Sequence, residues 1–279
     1  MVTRHTIGGL NYRLEYPGVV RNKPLCLFLH GFMGSSADFY HIIPELTDFV
    51  NPVLVDLPGH GETGNPAGVK RCQTHRLVSD ILTLVSMYSS QQVFLAGYSM
   101  GGRLALHTVL ARPDLFRGII LESTSTGIAD EQLRMQRRET DAARAGVMME
   151  NLPEFVDEWN AMPMFQSPGK EPATRGIEMQ LNVLQKLQSP EGLAAMLEGF
   201  GAGSMPAIPK ENLKQLRIPA MLIAGSYDSR YVEIQKQMAE YFSDARVEII
   251  PNSAHRVHID APDAYIGALR SYFENSLHH

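Results

Sequence analysis

Cysteine is scarce in this 279-residue chain. Cys26 and Cys72 are the only two, too few for a disulfide framework or a cysteine-based zinc site. No spacing of His, Cys, Asp and Glu suggests a metal site, so no metal and no organic cofactor is expected. Basic charge is not in excess either. With 25 Lys and Arg against 30 Asp and Glu the net charge is −5, which argues against a nucleic-acid partner. No apolar stretch approaches the length of a membrane span, and no charged-then-apolar leader opens the chain, so a cytoplasmic protein without membrane insertion is expected. Internal repeats and low-complexity segments are missing, and the terminal His278-His279 is given no role. What remains is 44% apolar and 20% charged, the balance of a globular enzyme, long enough for a full core and one inserted subdomain.

Short apolar runs recur between helical segments: 25–29, 53–55, 93–96, 119–121, 221–224 and 247–250. Apolar on both faces, they read as strands of a mainly parallel sheet sandwiched by helices, an α/β fold. Residues 3–16, with Gly8-Gly9 at the centre, read as an opening hairpin. The alternation breaks between Leu121 and Met221. Residues 127–208 read as helical, with breaks at Pro153, Pro163, Pro168-Gly169, Pro190 and 201–206, too long for a crossover loop. They are expected to form a helical cap inserted into a core of 1–126 and 209–279. Eight of the 14 methionines fall there, and flexible thioethers suit a surface that repacks around a ligand.

The most informative stretch is Gly97-Tyr98-Ser99-Met100-Gly101, between the apolar run 93–96 and a helical segment over 102–111. Strand, tight Gly-x-Ser-x-Gly turn and helix form a nucleophile elbow, in which glycines relieve backbone crowding and Ser99 stands above the sheet. A serine hydroxyl needs a neighbouring base. His255 follows the last strand run in Pro251-Asn252-Ser253-Ala254-His255, with His258 as the alternative. The imidazole needs an acid to fix its tautomer. Asp228 in Gly225-Ser226-Tyr227-Asp228 is expected at the same sheet edge, with Glu122 as competitor. The backbone N–H groups of Phe32, after His30-Gly31, and of Met100 are candidates for an oxyanion hole. Arg103 lies one helical turn after Ser99. A cation in a helix's first turn opposes the macrodipole by about 0.3–1 kcal/mol, which a bound carboxylate would offset.

Leu29-His30-Gly31-Phe32, Asp56-x-Pro58-Gly59-His60-Gly61, the elbow, Gly225-x-x-Asp228 and His255 together resemble the α/β-hydrolase superfamily across nearly the whole chain. A narrower likeness adds Met33-Gly34-Ser35, Arg103, Arg134 to Asp141, Trp159-x-x-x-Pro163-x-Phe165, Ser189 to Ala194 and Ser229-Arg230-Tyr231. These are similar to the 2-succinyl-6-hydroxy-2,4-cyclohexadiene-1-carboxylate synthases of menaquinone biosynthesis. The resemblance implies a lyase whose serine triad removes a substrate proton so that pyruvate is eliminated. It also implies that Tyr98, Arg103, Arg137 and Trp159 contact a small polycarboxylate substrate, with Arg134 and Arg138 as alternatives to Arg137. Lys186 stands where that family tends to carry another arginine and is carried over with them; it keeps the charge but loses the fork geometry. The same triad would equally serve an esterase, a thioesterase or a carbon–carbon bond hydrolase, and a non-catalytic receptor for a small acid is a third reading. A monomer or small homo-oligomer is expected.

Overall fold

A computed structural model describes residues 1–16, 18, 20, 22–88 and 92–276; the terminal histidine pair lies outside them. Eight strands form one sheet: β1 (Val2–Ile7), β2 (Leu10–Glu15), β3 (Leu25–Leu29), β4 (Asn51–Val55), β5 (Val93–Tyr98), β6 (Phe116–Glu122), β7 (Ala220–Gly225) and β8 (Ala245–Ile250). Their spatial order is β1-β2-β4-β3-β5-β6-β7-β8. The opening hairpin β1–β2 is antiparallel, as is its junction with β4, and every pairing from β4 to β8 is parallel. The helices are α1 (Ile43–Leu46), α2 (Thr74–Ser86), α3 (Met100–Ala111), α4 (Glu131–Asn160), α5 (Pro172–Lys186), α6 (Pro190–Phe200), α7 (Lys210–Leu213), α8 (Ser229–Ala239), α9 (Val257–Asp260) and α10 (Pro262–Ser276).

The apolar runs are buried on both sides because successive strand residues point to opposite faces. Leu27, Leu29, Leu95, Leu121 and Leu222 face one layer, with α2 and α3. Cys26, Phe28, Phe94, Ile120 and Met221 face the other, with α1 and α10. Both cysteines are free and buried. The chain reverses its direction of winding at the neighbours β4-β3-β5, so the loops after β3 and β5 diverge and leave a crevice at the carboxyl ends of the strands.

One boundary differs from the sequence expectation in an instructive way. β5 runs to Tyr98 and α3 starts at Met100, so Gly97 and Tyr98 belong to the strand and the reversal is Ser99 alone. Between β6 and β7 the chain runs through α4 to α7 without a strand. α4 is bent where Asn151 leaves helical geometry (φ −153°, ψ 80°), two residues before Pro153, which cannot donate to the helix ladder. Pro190 instead starts α6, with Ser189 capping it. Met148, Leu152, Phe155 and Val156 of α4 pack on Leu193 and Leu197 of α6. The methionines of this segment divide: Met148, Met196 and Met205 are buried, Met135, Met149 and Met179 are exposed, and Met162 and Met164 line a cavity above Ser99.

Candidate active site

Ser99 sits at φ +50°, ψ −106°, a conformation that strains any residue with a side chain. The turn is possible because its neighbours lack Cβ atoms. A Cβ on Gly101 would lie 2.2 Å from the Leu29 carbonyl oxygen, and one on Gly97 would lie 2.5 Å from that of Gly101. α3 therefore enters directly against the end of β3. The strained backbone is held by hydrogen bonds: the Ser99 N–H donates to the Glu122 carbonyl (2.8 Å), and the Thr124 hydroxyl donates to the Ser99 carbonyl (2.8 Å).

His255 and Asp228 arrive from the loops after β8 and β7. Gly225 permits their approach, since a Cβ there would meet the Ala254 carbonyl oxygen at 2.2 Å. His255 Nδ1 lies 2.6 Å from Asp228 Oδ2, and its Nε2 lies 3.1 Å from Ser99 Oγ. An ionised carboxylate accepts the Nδ1 proton, which leaves Nε2 free to accept from the serine. The other carboxylate oxygen of Asp228 caps α8, accepting from the Tyr231 N–H at 3.4 Å. The rings of Tyr231, Tyr98 and Phe165 surround His255 at 4.6, 5.5 and 5.6 Å between centroids. Burial among them pulls the His255 pKa below its ordinary 6.5, with Asp228 opposing the shift. The neutral, base-competent imidazole is thus favoured near neutrality.

The two competitors pair with each other instead. Glu122 accepts from His258 Nδ1 at 2.8 Å and from the His258 backbone N–H at 3.1 Å, both residues fully buried behind the serine. His30 does structural work: its Nε2 accepts the Leu57 N–H at 2.9 Å, and burial lowers its pKa to about 4. Asp56 likewise holds turns, accepting from the Ser36 and Glu62 backbone N–H groups. Among the described residues, no hydrogen bond occupies the backbone N–H of Phe32 or Met100. The Met100 N–H opens α3 next to Ser99, where helix N–H groups face an anion.

A cavity of about 460 Å³ lies above Ser99, between the strand ends and α4 to α6. Tyr98, Arg103, Arg137 and Trp159 line it with Ser99, Asp228, His255, Phe32 and Met100. Lys186 does not. Its Nζ lies 2.6 Å from Asp157 Oδ1, an ion pair on the outward side of α4 and α5, and Gln185 takes the inward place. The reason is the helical period, which turns adjacent residues about 100° apart. Arg134 and Arg138 also turn away, pairing with Glu131. Sequence reasoning missed Asp38, Arg144, Lys210, Arg230, Tyr231 and Arg256 as cavity residues. Arg256 had a usable signal, its place next to His255. The cavity thus carries six cationic side chains (Arg103, Arg137, Arg144, Lys210, Arg230, Arg256) against two carboxylates, Asp38 and Asp228, in a chain of net charge −5. Such focused positive potential suits an anionic ligand. Among the described residues no cluster of three or more His, Cys, Asp or Glu is arranged to hold a metal ion, and no helix is long and apolar enough to cross a membrane.

The serine elbow between a parallel strand and a helix, with an acid and a histidine delivered by later strand ends, defines an α/β hydrolase. The sequence pattern of the Alpha/beta hydrolase family matches residues 26–268, and the chain belongs to that family. Within it, the chain is 30% identical over 249 residues to the 2-succinyl-6-hydroxy-2,4-cyclohexadiene-1-carboxylate synthase of Enterobacter sp. (strain 638), covering 88% of this chain and 90% of that one. It is 31% identical to a Bacillus subtilis (strain 168) protein that carries the same name provisionally, over 89% of both chains. The solved structure of MenH from S. aureus superposes with a TM-score of 0.87 at 30% identity, covering 95% of this chain and 98% of that one.

Proposed function

We propose that this chain is a carbon–oxygen lyase of menaquinone biosynthesis, eliminating pyruvate from a succinyl-cyclohexene carboxylate precursor as a 2-succinyl-6-hydroxy-2,4-cyclohexadiene-1-carboxylate synthase. The observation that carries the reading is the pairing of a serine relay with a cavity lined by six cations, in a chain whose relatives bear that synthase name. Residues 127–208 act as the cap that closes over the core.

In this reading His255 Nε2 takes the Ser99 hydroxyl proton while Asp228 holds the imidazole in the right tautomer and steadies its charge. The serine oxygen withdraws a proton from the ring carbon. The electron pair left behind conjugates into a carbonyl oxygen, where the Phe32 and Met100 N–H groups stabilise the negative charge. That pair then forms the new ring double bond as the carbon–oxygen bond to the enolpyruvyl group breaks. The leaving enolate takes up the proton held by the His255 imidazolium and becomes pyruvate, which returns the imidazole to its neutral form while Ser99 keeps the proton taken from the ring. No acyl-serine forms, so water needs no path to the site. Arg103 and Arg137 hold substrate carboxylates, and Trp159 and Tyr98 wall the ring. The enzyme works in the cytoplasm as a monomer or small homo-oligomer.

The test is pyruvate release from the cyclohexene precursor by purified protein. Appearance of pyruvate at a rate abolished by Ser99→Ala is expected. Fast turnover of simple aryl esters with the precursor untouched would instead establish a hydrolase on the same triad, and ligand sensing unaffected by Ser99→Ala would establish a receptor.

A further inference from the structure

Of the six cations around the cavity, four have solvent or carboxylates to compensate them. Lys210 and Arg230 are exposed, and Arg137 and Arg144 share the carboxylate of Asp141. The other two, Arg103 and Arg256, are 7% and 8% exposed, and among the described residues neither forms an ion pair with a carboxylate. Arg103 is the one anticipated from the elbow. Arg256 comes from a different direction, the loop that carries His255.

The direct contacts of Arg256 are neutral groups. One terminal nitrogen donates to Asn160 Oδ1 at 2.5 Å, its guanidinium carbon stacks 4.1 Å from the centre of the Phe165 ring, and it hydrogen-bonds the Tyr98 hydroxyl, which burial keeps in its neutral form by pushing its pKa well up against the pull of the guanidinium. Asp38 is the nearby acid that feels its charge, and burial pushes the Asp38 carboxyl up to about 6. A guanidinium has five N–H donors in a rigid fork, and bonds to one amide oxygen and one phenol oxygen leave the others free. A buried charge without a counter-ion is destabilising unless something of opposite sign reaches it. The loop is pinned: the His255 backbone N–H donates to the Met164 carbonyl at 3.0 Å, so the fork stands at a fixed offset from the base. Lys186, expected to contact the substrate, is spent on Asp157.

We propose that Arg256 binds a substrate carboxylate through its fork, replaces the cation that Lys186 does not supply, and sets a preference for dianionic over monoanionic ligands. This deepens the lyase reading and rests on it only for the anionic nature of the substrate. A clamp between the base loop and α4 would be the merely structural role of the same side chain, and charge selectivity separates the two.

The experiment is calorimetric titration of Ser99→Ala protein with succinate, glutarate and adipate, each beside its monomethyl ester. At least one diacid is expected to bind ten-fold or more tightly than its own ester. Adding Arg256→Gln should collapse that ratio to within three-fold, mainly by weakening the diacid. Arg256→Lys, which keeps the charge without the fork and should preserve the fold if Gln does not, should leave an intermediate ratio. The proposal is overturned if no diacid is preferred, if the ratio survives either substitution, if diacid and ester weaken equally, or if Lys186→Gln rather than Arg256→Gln removes the preference. A preference that follows Arg256 in a protein that releases no pyruvate would leave this assignment standing and remove the reaction assigned above.

Discussion

The strand ends and the helical segment over them build the same cavity by different means. At the strand ends, position is set by backbone. Ser99, Asp228 and His255 stand where β5, β7 and β8 stop, and Gly97, Gly101 and Gly225 allow main chains to approach so closely that a single Cβ would collide with a carbonyl oxygen. In the helical segment, position is set by side chains: Arg137 is aimed by Asp141 at 2.8 Å, and Trp159 stacks on Phe155 and meets Phe32 edge-to-face at centroid distances of 5.8 and 5.4 Å. The first construction tolerates almost no change and can hold atoms to the accuracy that proton transfer needs. The second can be re-aimed by one substitution, which suits the choice of substrate. Arg256, from the loop after β8, reaches across to Asn160 of α4 and so touches both constructions.

The largest effect is expected at the nucleophile. Ser99→Ala is expected to lower kcat by about 10⁴–10⁶-fold while the melting temperature holds or rises, since the strained hydroxyl is not a packing group. Equal activity in that variant would remove the relay from the mechanism. Next is the backbone scaffold. Gly101→Ala should destabilise the fold by about 4 kcal/mol or more, because the new methyl meets two main-chain oxygens that cannot move independently of β3; chemical denaturation measures it, and a loss under about 1 kcal/mol would show that the elbow has slack. For the helical segment, Arg137→Gln is expected to raise KM by about 10–100-fold with a smaller change in kcat, the pattern of lost ground-state binding. A kcat effect larger than the KM effect would blur the division between the two regions.

A smaller, continuous probe is pH. Because burial lowers the His255 pKa, the neutral base persists below pH 6.5. The acid limb of kcat/KM for the free enzyme should therefore bend below 6.5 and fall about ten-fold per pH unit beneath its inflection. An inflection above 6.5 would mean that the Asp228 carboxylate outweighs burial. Least of all, Lys186→Gln should change kcat/KM by less than about three-fold, since its exposed partner Asp157 already holds it outside the cavity.

Much of this was legible in the sequence, for reasons that are local. Two-faced apolar runs admit only a covered sheet, and a glycine-flanked serine between a strand and a helix admits few conformations. What was harder depended on helical phase and on contacts between distant segments. Lys186 and Gln185 are adjacent in sequence, yet one faces Asp157 and the other the cavity. Glu122 and His258 were reasonable alternatives for acid and base until their 2.8 Å contact paired them with each other.

The chain's own order of residues determined the layered sheet, the sharp serine turn and the set of groups able to form a proton relay, because those follow from periodicity and from missing Cβ atoms within a few neighbouring positions. Only the folded arrangement decided which histidine faces the serine, which arginines are buried without a counter-ion and which cations turn outward. Those outcomes depend on distances between segments more than a hundred residues apart, and charge and hydrogen-bond energies change over a few ångströms.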